Sequence, residues 1–161
     1  SRPVLMVRQL PHEPYRRILV PVDFSDWSRS AIELALRIAP QATLVLMHAV
    51  DLPFEGKLRV AGVTDDAVMR YRSAAQREAL QRLHELVADA GLDMGRVQLS
   101  APSGADPWML IVQEEQEQDC DLVVIGRQGR HALDEFLLGS TTRMVLCEGA
   151  GDVLISTRRP D

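Results

Sequence analysis

Lysine is nearly missing from this chain. Of its 18 basic residues 17 are Arg, and Lys57 stands alone. No G-x-x-x-x-G-K-[ST] loop surrounds Lys57, which excludes a P-loop NTPase. Cysteine is scarce as well: Cys120 and Cys147 are too few for a disulfide scaffold, and without a C-x-x-C pair they point to neither zinc nor redox work. Both lie in apolar surroundings and are expected to be buried free thiols. No apolar run approaches the ~20 residues of a membrane span, and none near the start serves as a signal core, so a cytoplasmic protein away from membranes is expected. A basic excess is lacking too. The balance of 18 basic against 23 acidic residues gives −5, which argues against nucleic acid as a partner. What is present is ordinary for one globular domain: 161 residues, 46% hydrophobic and 25% charged.

The apolar pattern alternates between two periods. Short β-branched runs at 18–22, 43–50, 97–101, 121–126 and 153–156 read as strands, apolar enough on both faces for a parallel sheet. Between them lie helical stretches. The first is capped by Ser25 or Asp26, carries Trp27, Ala31, Leu34, Ala35 and Ile38 on one face, and stops at Pro40. A loop is expected over 51–63. Thr64 then caps a long helix with Val68, Ala75, Ala79, Leu83, Leu86 and Ala90 along one face, ended by Gly91. Asp106-Pro107 opens a third helix running to about Gln118, and Gly139 opens a fourth that ends near Gly149. The order β-α-β-α-β-α-β-α-β points to an α/β fold with an open, doubly wound, five-stranded parallel sheet. Ligands of such sheets bind beyond the carboxyl ends of the strands, so the loops after Val22, Val50 and Ile125 matter most. The first fifteen residues fall outside this scheme. Residues 2–8 read as an extra N-terminal edge strand, followed by a linker marked by Pro11 and Pro14.

The segment with chemical content is Gly126-Arg127-Gln128-Gly129, nine residues, then Gly139-Ser140-Thr141-Thr142. Glycines let backbone N–H groups approach phosphate oxygens closely, and a helix start adds further donors and a favourable dipole. The hydroxyls of Ser140, Thr141 and Thr142 extend that donor set. Asp23, at the carboxyl end of the first strand, suits a ribose diol or, alternatively, a helix-capping role.

The spacing G-x2-G-x9-G-[ST] resembles the nucleotide-binding signature of the ATP-binding branch of the universal stress protein family. Pro21-Val22-Asp23-Phe24-Ser25 is similar to that family's opening motif. Leu46-Met47-His48-Ala49-Val50 is similar to its second strand, and Leu137-Leu138-Gly139-Ser140 also fits. The resemblance spans residues 16–158 and implies a Rossmann-like sheet of that family's type. It implies that Pro21 and Asp23 lie at the nucleotide, with Asp23 on the ribose hydroxyls or on a metal near the phosphates. Ala49 would offer backbone groups to adenine. Gly126 and Gly129 would line the ribose and phosphate loop, Arg127 and Arg130 would pair with phosphate, and Gly139, Ser140 and Thr141 would hold it. Gln128 stands where the family often has His, and Asp152 where the last strand usually starts with Pro.

The implied function is a regulatory or sensing module that binds ATP, with or without Mg²⁺, with little or no catalysis, and that forms a homodimer through edge strands and serves an unidentified protein client. The alternatives are a slow Mg²⁺-dependent nucleotide hydrolase built on Asp23 with Arg127 or Arg130, and a nucleotide-free dimeric interaction protein. The extra strand also resembles the tail of a preceding tandem domain. It is expected to pair with a terminal strand of this chain or of a partner subunit.

Other residues point to packing or solvent. His48 reads as a core or sheet histidine, and His12, His84 and His131 show no ligand spacing. Glu114, Glu115, Glu117, Asp119 and Asp121 read as a solvated acidic face, Asp134 and Glu135 as pointing to solvent, and Trp27 and Trp108 as packing residues.

Overall fold

The computed structural model describes residues 2–8, 10, 13–53, 55–104, 106–127 and 138–157. Six strands form one sheet: β1 (Val4–Met6), β2 (Arg17–Pro21), β3 (Thr43–Met47), β4 (Val97–Ser100), β5 (Leu122–Gly126) and β6 (Asp152–Ser156). Among the described residues five α-helices connect them: α1 (Asp26–Ile38), α2 (Glu55–Val60), α3 (Asp65–Asp89), α4 (Pro107–Glu117) and α5 (Ser140–Glu148). The sheet order is β1-β6-β5-β2-β3-β4, with every neighbouring pair parallel except β1, which runs antiparallel to β6. The five-stranded parallel sheet and its added edge strand are therefore both present.

Alternation along each strand builds two cores. Ile18, Val20, Leu44, Leu46, Leu122, Val124 and Leu154 face Ala31, Ile32 and Ala35 of α1 and Leu83, Leu86 and Val87 of α3. The intervening residues Leu19, Val45, Met47, Val123, Ile125, Val153 and Ile155 face Ile111 of α4 and Val145 of α5. A fully buried aliphatic side chain is worth roughly 1.5–3 kcal/mol, so both sheet faces must be covered, as a doubly wound sheet requires.

Helix ends follow the sequence signals. Thr64 accepts from the Ala67 N–H, and Gly91 takes a left-handed φ of 63° one residue past the Ala90 cap. Several details differ from the sequence reading. The stretch 51–63 holds α2, which buries none of its residues and is tied to α3 by ion pairing of Glu55 with Arg72. On α1 the inward face is Ser28, Ala31, Ile32 and Ala35, leaving Ile38 exposed; on α3 Val87 takes the inward place expected of Ala90. Cys120 is buried but Cys147 is exposed.

The acidic run is the largest departure from expectation. Glu114 and Glu115 are buried, Glu115 at 2% exposure. Its carboxylate accepts from the N–H groups of Ala150 (3.3 Å) and Gly151 (2.6 Å). Asp121 accepts from the N–H groups of Arg16 (2.8 Å) and Arg17 (3.1 Å). These carboxylates hold backbone at the amino end of the sheet instead of facing solvent. Asp152, also buried, accepts from the Arg8 N–H and the Tyr15 hydroxyl, both at 2.7 Å, and so anchors the segment carrying β1.

Candidate functional site

The chain passes from β2 outward to β3 and β4, then returns to lay β5 on the other side of β2. At the carboxyl ends of β2 and β5 the departing loops part and leave a crevice. A cavity of about 570 Å³ occupies it, a size ordinary for a cofactor site.

Each wall has a sequence-level cause. β2 ends at Pro21, and Val22 donates a last backbone bond to the Met47 carbonyl (2.7 Å). The chain then turns through Phe24, whose φ of 62° is unusual for a bulky residue and costs about 1–3 kcal/mol. Asp23 holds that turn. Its Oδ1 accepts from the Ser25 N–H (3.0 Å), the Ser25 hydroxyl (2.5 Å) and the Ser28 hydroxyl (2.6 Å), while its own N–H donates to Ser28 Oγ (2.9 Å). Asp23 thus shapes the start of α1 and lines the cavity as well.

The Phe24 ring packs against His48 (centroids 4.6 Å apart) and beneath the Arg82 guanidinium, 3.8 Å from the ring centre. A cation over an aromatic face contributes about 0.5–1 kcal/mol at a partly exposed site, which helps hold the strained residue. His48 Nδ1 lies 2.6 Å from the Val22 carbonyl. A carbonyl can only accept, so Nδ1 carries a proton there.

Beyond β3, His48 donates to the Ser100 carbonyl and Val50 to that of Pro102. By the alternation of strand backbone, the peptide groups of Ala49 between them face away from β4, toward the crevice where β2 has already ended. The opposite wall is the start of α5. Gly139 is its N-cap and supplies no side-chain cap, so the first-turn N–H groups at Ser140 and Thr141 point at the cavity with no capping side chain among the described residues. The Gly139 N–H donates to the Arg127 carbonyl (3.0 Å) and the Arg127 N–H to that of Ser156 (2.9 Å), pinning both ends of the intervening loop.

Of the residues singled out in the sequence, Pro21, Asp23, Ala49, Gly126, Gly139, Ser140, Thr141 and Thr142 line this one cavity. Arg127 takes part through its backbone and is absent from the lining, while Gly129 and Arg130 lie outside the described residues. Thr142 differs from expectation. Its hydroxyl is buried and donates to the Gly126 carbonyl (2.9 Å), so it braces the glycine instead of offering a proton to a ligand. His48 lies past the end of β3 and lines the cavity, instead of sitting within the sheet. Sequence reasoning missed Ser28, Asp51, Arg82 and Ile111, which complete the lining from α1, the β3 loop, α3 and α4. The arrangement can hold an elongated, phosphorylated molecule: donors at a helix mouth, a carboxylate beside it, and exposed strand-type backbone at the far end.

Comparisons with known proteins agree with this fold. The model of the universal stress protein family matches residues 14–156. Universal stress protein MJ0531 of Methanocaldococcus jannaschii is 27% identical over 144 residues, covering 88% of this chain and 81% of that protein. The solved structure of MJ0577 superposes with a TM-score of 0.69 at 21% identity, covering 92% of this chain and all of the other. A universal stress protein solved in complex with cAMP superposes with a TM-score of 0.57 at 25% identity, covering 91% of this chain and all of the other.

Proposed function

This chain belongs to the universal stress protein family, and from that premise we propose that it binds an adenine nucleotide, ATP in the first place, as a regulatory or sensing module. The observation that carries the reading is the convergence of Asp23, Ala49, Gly126 and the uncapped start of α5 on one cavity at the strand reversal. In this reading Ser140 and Thr141 grip phosphate through backbone N–H groups, Asp23 faces the ribose, and Ala49 meets the adenine edge. The relative solved with cAMP supports a purine nucleotide as the ligand class.

Binding without turnover is favoured because Asp23 Oδ1 already holds three donors of the α1 turn, a poor setting for a base. Among the described residues, no three His, Cys, Asp or Glu side chains gather as a metal site. Mg²⁺ would therefore enter with the phosphates, bound largely through their oxygens. A homodimer through edge strands completes the proposal, with β1 as the exposed edge. Removal of residues 1–14 is expected to change the oligomer seen by light scattering, and an unchanged oligomer counts against that part.

The test of the ligand is direct. Protein denatured after purification should release intact ATP to mass spectrometry, or the refilled site should bind ATP by calorimetry. Recovery of ADP or AMP alone would favour the hydrolase, and no ligand with no calorimetric binding would favour the interaction protein. Gly129→Val is expected to weaken ATP binding at least tenfold in a folded protein.

A further inference from the structure

We infer that Arg82 is the residue that makes this cavity select an anionic ligand, moving its guanidinium from the Phe24 ring onto the ligand's phosphates. The inference rests on the nucleotide reading and deepens it.

Arg82 reaches the cavity from α3, which packs on the α1 face of the sheet, whereas Ser140 and Thr141 approach from α5 on the opposite face. A ligand seated between them is contacted from two sides. Among the described residues Arg82 is the only Arg or Lys in the lining, against two carboxylates, Asp23 and Asp51. Those carboxylates disfavour a polyanion, and among the described lining residues Arg82 is the basic side chain set against them.

The guanidinium is also free to make that exchange. It makes neither a hydrogen bond nor a salt bridge with any described residue; its contact is the face of Phe24. Five N–H donors of a planar fork are thus held at the cavity by a ring that accepts none of them in the plane. Phosphate oxygens offer charge-assisted, bidentate bonds, which outweigh the ring contact. Phe24 serves as the parking surface, and its left-handed backbone is what turns the ring toward α3.

The experiment compares ATP with adenosine by calorimetry on the full chain, in the wild type and in Arg82→Gln and Arg82→Lys. Arg82 sits on a helix and is only partly buried, so both variants should fold, as circular dichroism will verify. Arg82→Gln is expected to weaken ATP at least tenfold while adenosine stays within about threefold, and Arg82→Lys to fall between wild type and Gln. An ATP-to-adenosine affinity ratio unchanged in Arg82→Gln, or an equal loss of both ligands, overturns the assignment and leaves the nucleotide reading standing. A wild type that binds neither compound overturns the nucleotide reading, and this inference with it.

Discussion

The two ends of the sheet solve the same problem in opposite ways. At the amino end, backbone N–H groups are claimed by the chain's own carboxylates: Asp121 takes those of Arg16 and Arg17, Glu115 those of Ala150 and Gly151, and Asp152 that of Arg8. At the carboxyl end, the first-turn N–H groups of α5 meet no capping side chain among the described residues, and the peptide of Ala49 faces the cavity. Equivalent donors are thus internally satisfied where the fold is closed and externally available where it is open. An anion at the open end would do for α5 what Glu115 does for the 149–151 turn. The contrast teaches that, among the described residues, the start of α5 is the part of the site to which the protein brings no carboxylate, although Asp23 and Asp51 line the same cavity.

Four substitutions can break or sharpen that contrast. Glu115→Ala leaves the buried N–H of Gly151 and the part-buried N–H of Ala150 without an acceptor and should destabilise the fold by about 3 kcal/mol in urea unfolding. A loss below about 1 kcal/mol would show that the closed end does not depend on this carboxylate. Gly151→Ala comes next. An added Cβ would sit 2.7 Å from Glu115 Oε1, and the carboxylate is held by Gly151 N–H at Oε1 and Ala150 N–H at Oε2, so a loss of about 2 kcal/mol is expected. Neither change should alter the affinity of ATP once the protein is folded.

Ser140→Pro tests the open end. Proline is well tolerated at the first helical position, and Gly139 already has the extended backbone (φ −57°, ψ 147°) that a residue before proline prefers. Stability should stay within about 0.5 kcal/mol. ATP affinity should fall roughly tenfold, because one N–H donor is gone. Unchanged affinity would remove that amide from the site.

The smallest effect is alkaline. Burial, then the hydrogen bond to Asp152, then the nearby charges of Asp152 and Asp121 push the Tyr15 hydroxyl up to about 12 from its ordinary value of 10. A folded-state pKa above the unfolded one favours the protonated native form. Its stabilisation is therefore complete below pH 10 and is lost as pH rises from about 10 to about 12. Burial pushes the Cys120 thiol up to about 12 as well, adding a decline of the same sign from its ordinary 9.0. Tyr15→Phe should flatten the part of the alkaline decline that belongs to Tyr15. An identical pH profile in the variant would show that the Asp152 anchor does not govern it.

How much was legible in the sequence follows the same division. Features whose cause is local could be read directly: the strands, because short continuous β-branched runs mark a sheet covered on both faces, and the helix start at Gly139, Ser140 and Thr141, because a glycine followed by hydroxyl residues marks one. Asp23 was legible as a residue of the turn into α1, at the carboxyl end of the first strand. Features whose cause is distant could not be read. Glu115 looks like one member of a solvated acidic run until the turn after α5 folds back on it. Arg82 is one of several charged positions on a long helix, and only the sheet order brings it to the crevice. The helix α2 left no apolar period to detect because it buries nothing and is held by charge. Cys147 gave the opposite error, since an apolar neighbourhood in sequence lies on the outer face of α5.

The most direct measurement follows backbone amide resonances of isotope-labelled protein during an ATP titration. The account predicts saturable shifts at Ser140 and Thr141 together with Ala49, while Ala150 and Gly151, already held by Glu115, stay where they are. Amides of Ser140 and Thr141 that do not respond at saturating ATP would contradict it.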